Sequence, residues 1–84
     1  MEVSYITLPR LDVEDQPITA CLWLVERGDR VTQGEGVLEV LAGAANIELP
    51  SPIDGVLTKK LVAEGETLSA GQKLAEIERI VGSG

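Results

Sequence analysis

Short apolar runs alternate with glycine-containing polar segments along the whole chain. The runs are short and rich in Val, Ile and Leu, and turn residues bound them, which is typical of β-strands. They predict six strands, at residues 3–8, 18–25, 37–41, 45–49, 56–62 and 73–80. No segment has a sustained helical period, and even 73–80 alternates as well as it spirals. The pattern therefore predicts an all-β domain, a sandwich or flattened barrel of short strands.

An internal repeat is the second pattern. Residues 24–34, LVERGDRVTQG, are echoed at residues 61–71, LVAEGETLSAG, with both glycines and the acid after the first glycine in the same places. Each copy leads to an apolar–Glu–apolar end, LEV at 38–40 and AEI at 75–77. Two copies are too few for a solenoid. The repeat instead predicts two similar halves that share one core across a pseudo-two-fold axis.

The composition narrows the function classes. Fourteen acids and seven bases give a net charge of −7, which disfavours binding to phosphate backbones and anionic headgroups. We therefore expect neither nucleic acid nor a membrane as partner, and no apolar segment approaches membrane-spanning length. The only aromatic residues are Tyr5 and Trp23, so the core should be thin and aliphatic.

Metal binding and thiol chemistry are also disfavoured. With one cysteine and no histidine, the chain can form neither an internal disulfide nor a zinc site of the usual ligands. We expect no metal, and we expect Cys21 to be a small half-buried strand residue because no histidine is present to activate it. The single cysteine and the lack of a leader-like N-terminus favour a cytoplasmic location. Residues 1–80 should form one domain and residues 81–84 a flexible tail.

Several of these motifs resemble a known family, the lipoyl and biotinyl carrier domains. The segment from Trp23 to Val31, the Gly34-Glu35 pair and the LEV at 38–40 resemble the first half of lipoyl domains of 2-oxo acid dehydrogenase acyltransferases. SPIDGV at 51–56 resembles their central crossover, and residues 61–74 resemble their second half. The resemblance covers about residues 3–78.

The resemblance implies both a fold and a role. The fold is a flattened barrel-sandwich hybrid of two four-stranded sheets related by a pseudo-two-fold axis. Such domains are mobile carriers rather than enzymes. In them a lysine at the tip of one β-hairpin is joined to lipoate or biotin through an amide, and the arm swings between active sites.

That lysine is missing here. Counting from Gly28-Asp29 or from the PSP at 50–52 places the family lysine on Ala44, flanked by Gly43 and Ala45. An alanine methyl has no nucleophile, so we expect no covalent lipoate or biotin; lipoate would be expected only if Ala44 were lysine. The hairpin itself should persist, since Gly43 tolerates a positive φ.

Three interpretations remain open. The chain is a natural lysine-less relative that binds a protein partner or self-associates, an attachment-dead variant of a lipoyl carrier domain, or a piece of a larger protein that spaces or docks its neighbours. Lipoate ligase and the enzymes of a 2-oxo acid dehydrogenase complex are expected partners only if the carrier ancestry is retained. In none of the three is the domain itself an enzyme.

Two further groups of residues are candidates for a surface role. The resemblance implies that the turn at Gly28 and Asp29 lies near the hairpin at 42–46 and forms a recognition surface with it; an inert pair of loops is the alternative. Three carboxylates, Glu35, Glu39 and Glu48, could cluster. A solvated acidic face is the simpler expectation, because no partner completes a metal or acid–base site.

Overall fold

The computed structural model describes residues 2–11 and 17–80, so the tail predicted at 81–84 lies outside the described part. Eight strands form there, β1 to β8 in chain order, and no helix is present in these residues. Their bounds are Val3–Thr7, Ile18–Trp23, Arg30–Val31, Gly36–Ala42, Ala45–Pro50, Gly55–Lys60, Thr67–Leu68 and Lys73–Arg79. The predicted all-β class is confirmed.

The strands form two four-stranded antiparallel sheets. Sheet A has the order β1-β8-β6-β3, and sheet B has the order β5-β4-β2-β7. The two sheets pack face to face as an open, flattened sandwich. Aliphatic side chains from both inner faces form the core. The largest fully buried ones are Leu8, Val37, Leu38, Val40, Leu57, Leu74 and Ile77.

The repeat in the sequence is visible in the structure, because each strand of one half lies in one sheet and its equivalent in the other half lies in the other sheet. β2, β3 and β4 correspond to β6, β7 and β8 at an offset of 37 residues, and β1 corresponds to β5. Matching backbone hydrogen bonds cross the molecule: Gly28 N–H donates to Leu57 O at 2.7 Å, and Gly65 N–H donates to Ala20 O at 2.6 Å. The predicted pseudo-two-fold relation is confirmed.

Sequence reasoning missed β3 and β7, extended β2 and β6 by two residues, and extended β1 and β8 by one. The missed strands have two residues each, too short to show an alternating pattern. β2 and β6 end at Trp23 and Lys60 rather than at 25 and 62. Beyond those ends Leu24 and Leu61 each donate one backbone hydrogen bond, to Val37 O and Leu74 O, as the chain leaves the sheet.

No helix in residues 2–11 and 17–80 has the length and apolar character needed to cross a membrane.

Candidate functional site

The candidate site is the hairpin between β4 and β5 in sheet B. The two strands pair from Gly36 opposite Pro50 up to Ala42 opposite Ala45, which leaves Gly43 and Ala44 as a two-residue turn. Tight hairpin turns favour residues that accept positive φ, and Gly43 has a φ of 62°. The small residues therefore build the predicted hairpin, and Ala44 is exposed at its tip.

The tip of the hairpin carries no reactive or charged side chain. Residues 41–47 carry no amine, thiol, hydroxyl or carboxylate side chain, so the tip offers no nucleophile and no charge. The chain's three lysines, Lys59, Lys60 and Lys73, lie in β6 and β8 of the other sheet. The strands of sheet B, which carry the hairpin, contain no lysine.

The base of the hairpin is held by its own sheet. Ala42 is buried and pairs with Ile18 at the start of β2, which in turn pairs with Leu68 in β7. The neighbours of the hairpin are thus the beginning of β2 and the segment around β7.

The turn at Gly28 and Asp29 does not lie beside the hairpin, contrary to the expected recognition surface. It is bonded to Leu57 in β6, and β3 after it pairs with the first residues of β6. From there β6 runs toward the end of the sandwich that carries the hairpin. Gly65, which follows β6, donates a backbone hydrogen bond there to Ala20 in β2. The turn is therefore at the opposite end of the sandwich.

Asp29 has a structural part in its turn. Its Oδ2 accepts a hydrogen bond from the Glu26 N–H at 2.8 Å, as the carboxylates of acidic turn residues commonly do. In the other half, Glu66 Oε1 accepts from the Ala63 N–H at 3.1 Å. Because both turns use their acid in the same way, these contacts account for the repeated Gly–acid motif without a ligand.

The three carboxylates singled out in the sequence do not form one cluster. Glu35 Oε1 accepts a hydrogen bond from the Thr32 N–H at 3.0 Å and so closes a turn. Glu39 and Glu48 lie directly opposite each other on β4 and β5. Residues 2–11 and 17–80 hold no group of three or more possible metal ligands.

Cys21 is exposed, which corrects the expectation of a half-buried residue. The register of β2 against β4 shifts between Ala20 and Leu22. Cys21 is the extra residue of this bulge, and a bulged residue leaves the regular alternation of the strand. The alternation in the sequence could not reveal this shift.

Trp23 joins the two halves of the domain. Its ring is half-buried, and Nε1–H donates to Val62 O at 3.2 Å. The Nζ of Lys60 lies 5.3 Å from the ring centroid, within cation–π range. Trp23 therefore packs at the surface of the domain.

A shallow groove of about 280 Å³ lies between the edge strands β1 and β5. Its walls are mainly apolar and include three prolines; its lining residues are Tyr5, Ile6, Thr7, Pro9, Leu49, Pro50 and Pro52. Among the residues that the structure describes, no carboxylate, amine or thiol lines this groove.

Comparison with known proteins places this geometry in context. The biotin/lipoyl family model, described as biotin-requiring enzyme, matches residues 6–77. The lipoamide acyltransferase component of the branched-chain alpha-keto acid dehydrogenase complex of Bacillus subtilis is 33% identical over 78 residues, which is 93% of this chain and 18% of that protein. The dihydrolipoyllysine-residue succinyltransferase component of the 2-oxoglutarate dehydrogenase complex of Staphylococcus saprophyticus is 34% identical over 79 residues, or 94% of this chain and 18% of that protein. The chain spans about a fifth of the length of these curated relatives.

Proposed function

The chain belongs to the biotin/lipoyl family, and from that membership we propose that it is a non-enzymatic member without a covalent arm, which acts as a protein-interaction or assembly module. One observation carries the proposal. The exposed two-residue turn of the β4–β5 hairpin, where the family resemblance puts the attachment lysine, consists of Gly43 and Ala44.

Attachment of lipoate or biotin requires an amine that attacks the activated acid. Ala44 has none, and the lysines of the chain differ from a free hairpin amine in their surroundings. Lys60 Nζ lies 3.1 Å from Glu26 Oε2, and Lys73 Nζ lies 4.1 Å over the Tyr5 ring. Lys59 is 65% exposed in its side chain, but it lies within strand β6 rather than at a turn.

The rest of the scaffold is intact, which supports a retained role for it. The hairpin, both sheets and the pseudo-two-fold hydrogen bonds are all formed. A domain that keeps such a scaffold but lacks a reactive group can act through its surface. A cytoplasmic location and protein partners form part of the same proposal.

The second candidate function is a lipoyl carrier domain of a 2-oxo acid dehydrogenase complex whose attachment site was lost by drift or design. The names of the relatives favour it, because they are components of such complexes. Under this alternative, lipoate ligase and the enzymes of the complex would still recognise the domain.

Restoring the lysine separates the two candidates. Ala44→Lys and, as a matched control, Asn46→Lys are co-expressed with a lipoate ligase and with a biotin ligase, and their intact masses are measured. A surface that has diverged toward another role leaves Ala44→Lys unmodified. Efficient lipoylation of Ala44→Lys with an unmodified Asn46→Lys would instead favour the attachment-dead carrier.

A further inference from the structure

The pseudo-two-fold axis allows the outer faces of the two sheets to be compared position by position. Glu76 in β8 and Glu39 in β4 are equivalent. Glu76 lies between Tyr5 in β1 and Lys59 in β6, whereas Glu39 lies between Glu48 in β5 and Leu22 in β2. The two equivalent glutamates thus have different neighbours within one molecule.

On sheet A the carboxylate is surrounded by partners. Tyr5 Oη–H donates to Glu76 Oε1 at 3.3 Å, and Thr58 Oγ1–H donates to Glu76 Oε2 at 2.9 Å. Lys59 Nζ lies 4.0 Å from Glu76 Oε2. The ring of Tyr5 is in turn covered by the ammonium of Lys73, 4.1 Å away.

On sheet B every one of these partners is replaced. The equivalents of Tyr5, Thr58, Lys59 and Lys73 are Glu48, Cys21, Leu22 and Gly36. A carboxylate thus replaces the phenol and a thiol replaces the hydroxyl. An alkyl chain and a hydrogen atom replace the two ammonium groups.

The consequence is an uncompensated pair of negative charges. Among residues 2–11 and 17–80, neither Glu39 nor Glu48 forms an ion pair with a base. Like charges placed directly opposite on paired strands destabilise a sheet. The strands of sheet B contain no base, whereas those of sheet A contain Arg30, Lys59, Lys60, Lys73 and Arg79.

Exposed leucines surround this pair. Leu22 and Leu41 are 47% and 36% exposed. Leu22 is on the same outer face as Glu39 because it pairs directly opposite it, and strand alternation places Leu41 there as well. Leu24 is 37% exposed. Its side chain and the Glu48 carboxylate both lie next to Gly36, where a Cβ atom would otherwise be. We name this surface the acidic–leucine face: Leu22, Leu24, Glu39, Leu41 and Glu48.

We propose that the acidic–leucine face is the docking surface for a partner protein that presents an arginine or lysine between apolar side chains. The proposal rests on the proposed role as an interaction module and names the surface that performs it. A cation placed between Glu39 and Glu48 supplies the charge that Lys59 and Lys73 supply on sheet A. Arginine suits the site best, because its planar fork binds two carboxylate oxygens at once.

A second copy of the chain is a poorer occupant than a basic partner. The chain has a net charge of −7, so two copies repel each other. The lysines of sheet A already contact Glu26, Glu76 and Tyr5 of their own chain. The net charge of the chain therefore favours a different, basic protein as the occupant of this face.

The test uses a defined probe on the whole 84-residue chain. Amide chemical shifts of the ¹⁵N-labelled protein are followed during titration with a synthetic peptide of alternating leucine and arginine, and with its Arg→Gln counterpart. The double variant Glu39→Gln/Glu48→Gln is compared with Glu2→Gln/Glu78→Gln, which removes the same charge from β8 of sheet A and from the residue before β1. Leu22→Lys is a second variant, since it places the missing base on the face.

We expect saturable shifts centred on residues 22, 39, 41 and 48 with the arginine peptide alone, weakened by salt. Binding should fall at least about tenfold, or 1.4 kcal/mol, in Glu39→Gln/Glu48→Gln and in Leu22→Lys, and should be kept in Glu2→Gln/Glu78→Gln.

Equal losses in both double variants, shifts spread over the acidic turns, or no saturable binding would overturn the proposal. So would binding of calcium ions at Glu39 and Glu48 without peptide binding, or dimerisation through this face in ultracentrifugation. An unexpected lipoyl mass on the chain would refute the proposed function but leave this mapping unaffected.

Discussion

Glu39 lies directly opposite Glu48 across strands β4 and β5, whereas the equivalent Glu76 lies opposite Tyr5 and accepts its hydroxyl hydrogen bond. The two sheets share a backbone plan but not a surface chemistry. On sheet A Glu76 has partners within the chain, whereas on sheet B Glu39 and Glu48 face each other and are left for solvent or a partner.

Leu22→Lys should stabilise the free domain. The new ammonium would lie opposite Glu39, as Lys59 lies opposite Glu76. An opposite-charge pair across strands contributes about 0.2–1 kcal/mol, measured as the free energy of unfolding in urea. Leu61→Lys is the control, because Leu61 is similarly exposed at 42% but lies outside sheet B. Equal effects of the two substitutions would show that Glu39 gains nothing specific from the lysine.

Two glycines at strand ends should respond differently to a methyl group. A Cβ at Gly55 would meet the backbone carbonyl oxygen of Glu78 and lie 2.7 Å from Ile77 Cγ2, whereas a Cβ at Gly36 would meet only the side-chain ends of Glu48 and Leu24. Since a paired backbone cannot yield as a flexible carboxylate can, Gly55→Ala should lose about 1–3 kcal/mol. Gly36→Ala should range from no change to a gain of about 1 kcal/mol. Thermal melts of both variants check this, and a Gly36→Ala loss as large as that of Gly55→Ala would refute the assigned packing.

Core leucines from either half should be equally important. Leu38 and Leu74 are both fully buried, one in each sheet, so Leu38→Ala and Leu74→Ala should each cost about 2–5 kcal/mol. The exposed Leu61→Ala should change the free energy of unfolding by less than about 0.5 kcal/mol. Urea melts of the three variants measure this. If either core variant unfolds at the same urea midpoint as the parent, the two leucines do not share one core.

The repeat predicted more of the fold than the strand patterns did. Matching glycines at 28 and 65 and at 34 and 71 predicted equivalent halves, and the structure confirms equivalent strands in the two sheets. The patterns failed where the structure departs from regular alternation. β3 and β7 are two residues long, and the bulge at Cys21 exposes a residue expected to be half-buried.

The site was predicted in part. The hairpin around Gly43 and Ala44 forms where the small residues indicated, since a tight turn is a local property of the sequence. The relation of the Gly28 turn to that hairpin depends on which sheet each segment joins, and local pattern could not supply it. The acidic–leucine face had a signal that was not used: comparing the repeats side by side sets Leu22 and Gly36 against Lys59 and Lys73.

We propose that this member of the family carries no covalent arm. The most direct measurement is the intact mass of the unmodified sequence after co-expression with a lipoate ligase and with a biotin ligase, beside Ala44→Lys treated in the same way. We predict the mass of the bare polypeptide in both co-expressions. A lipoyl or biotinyl addition to the unmodified sequence, mapped by peptide fragmentation to any of its three lysines, would show that the domain does carry an arm.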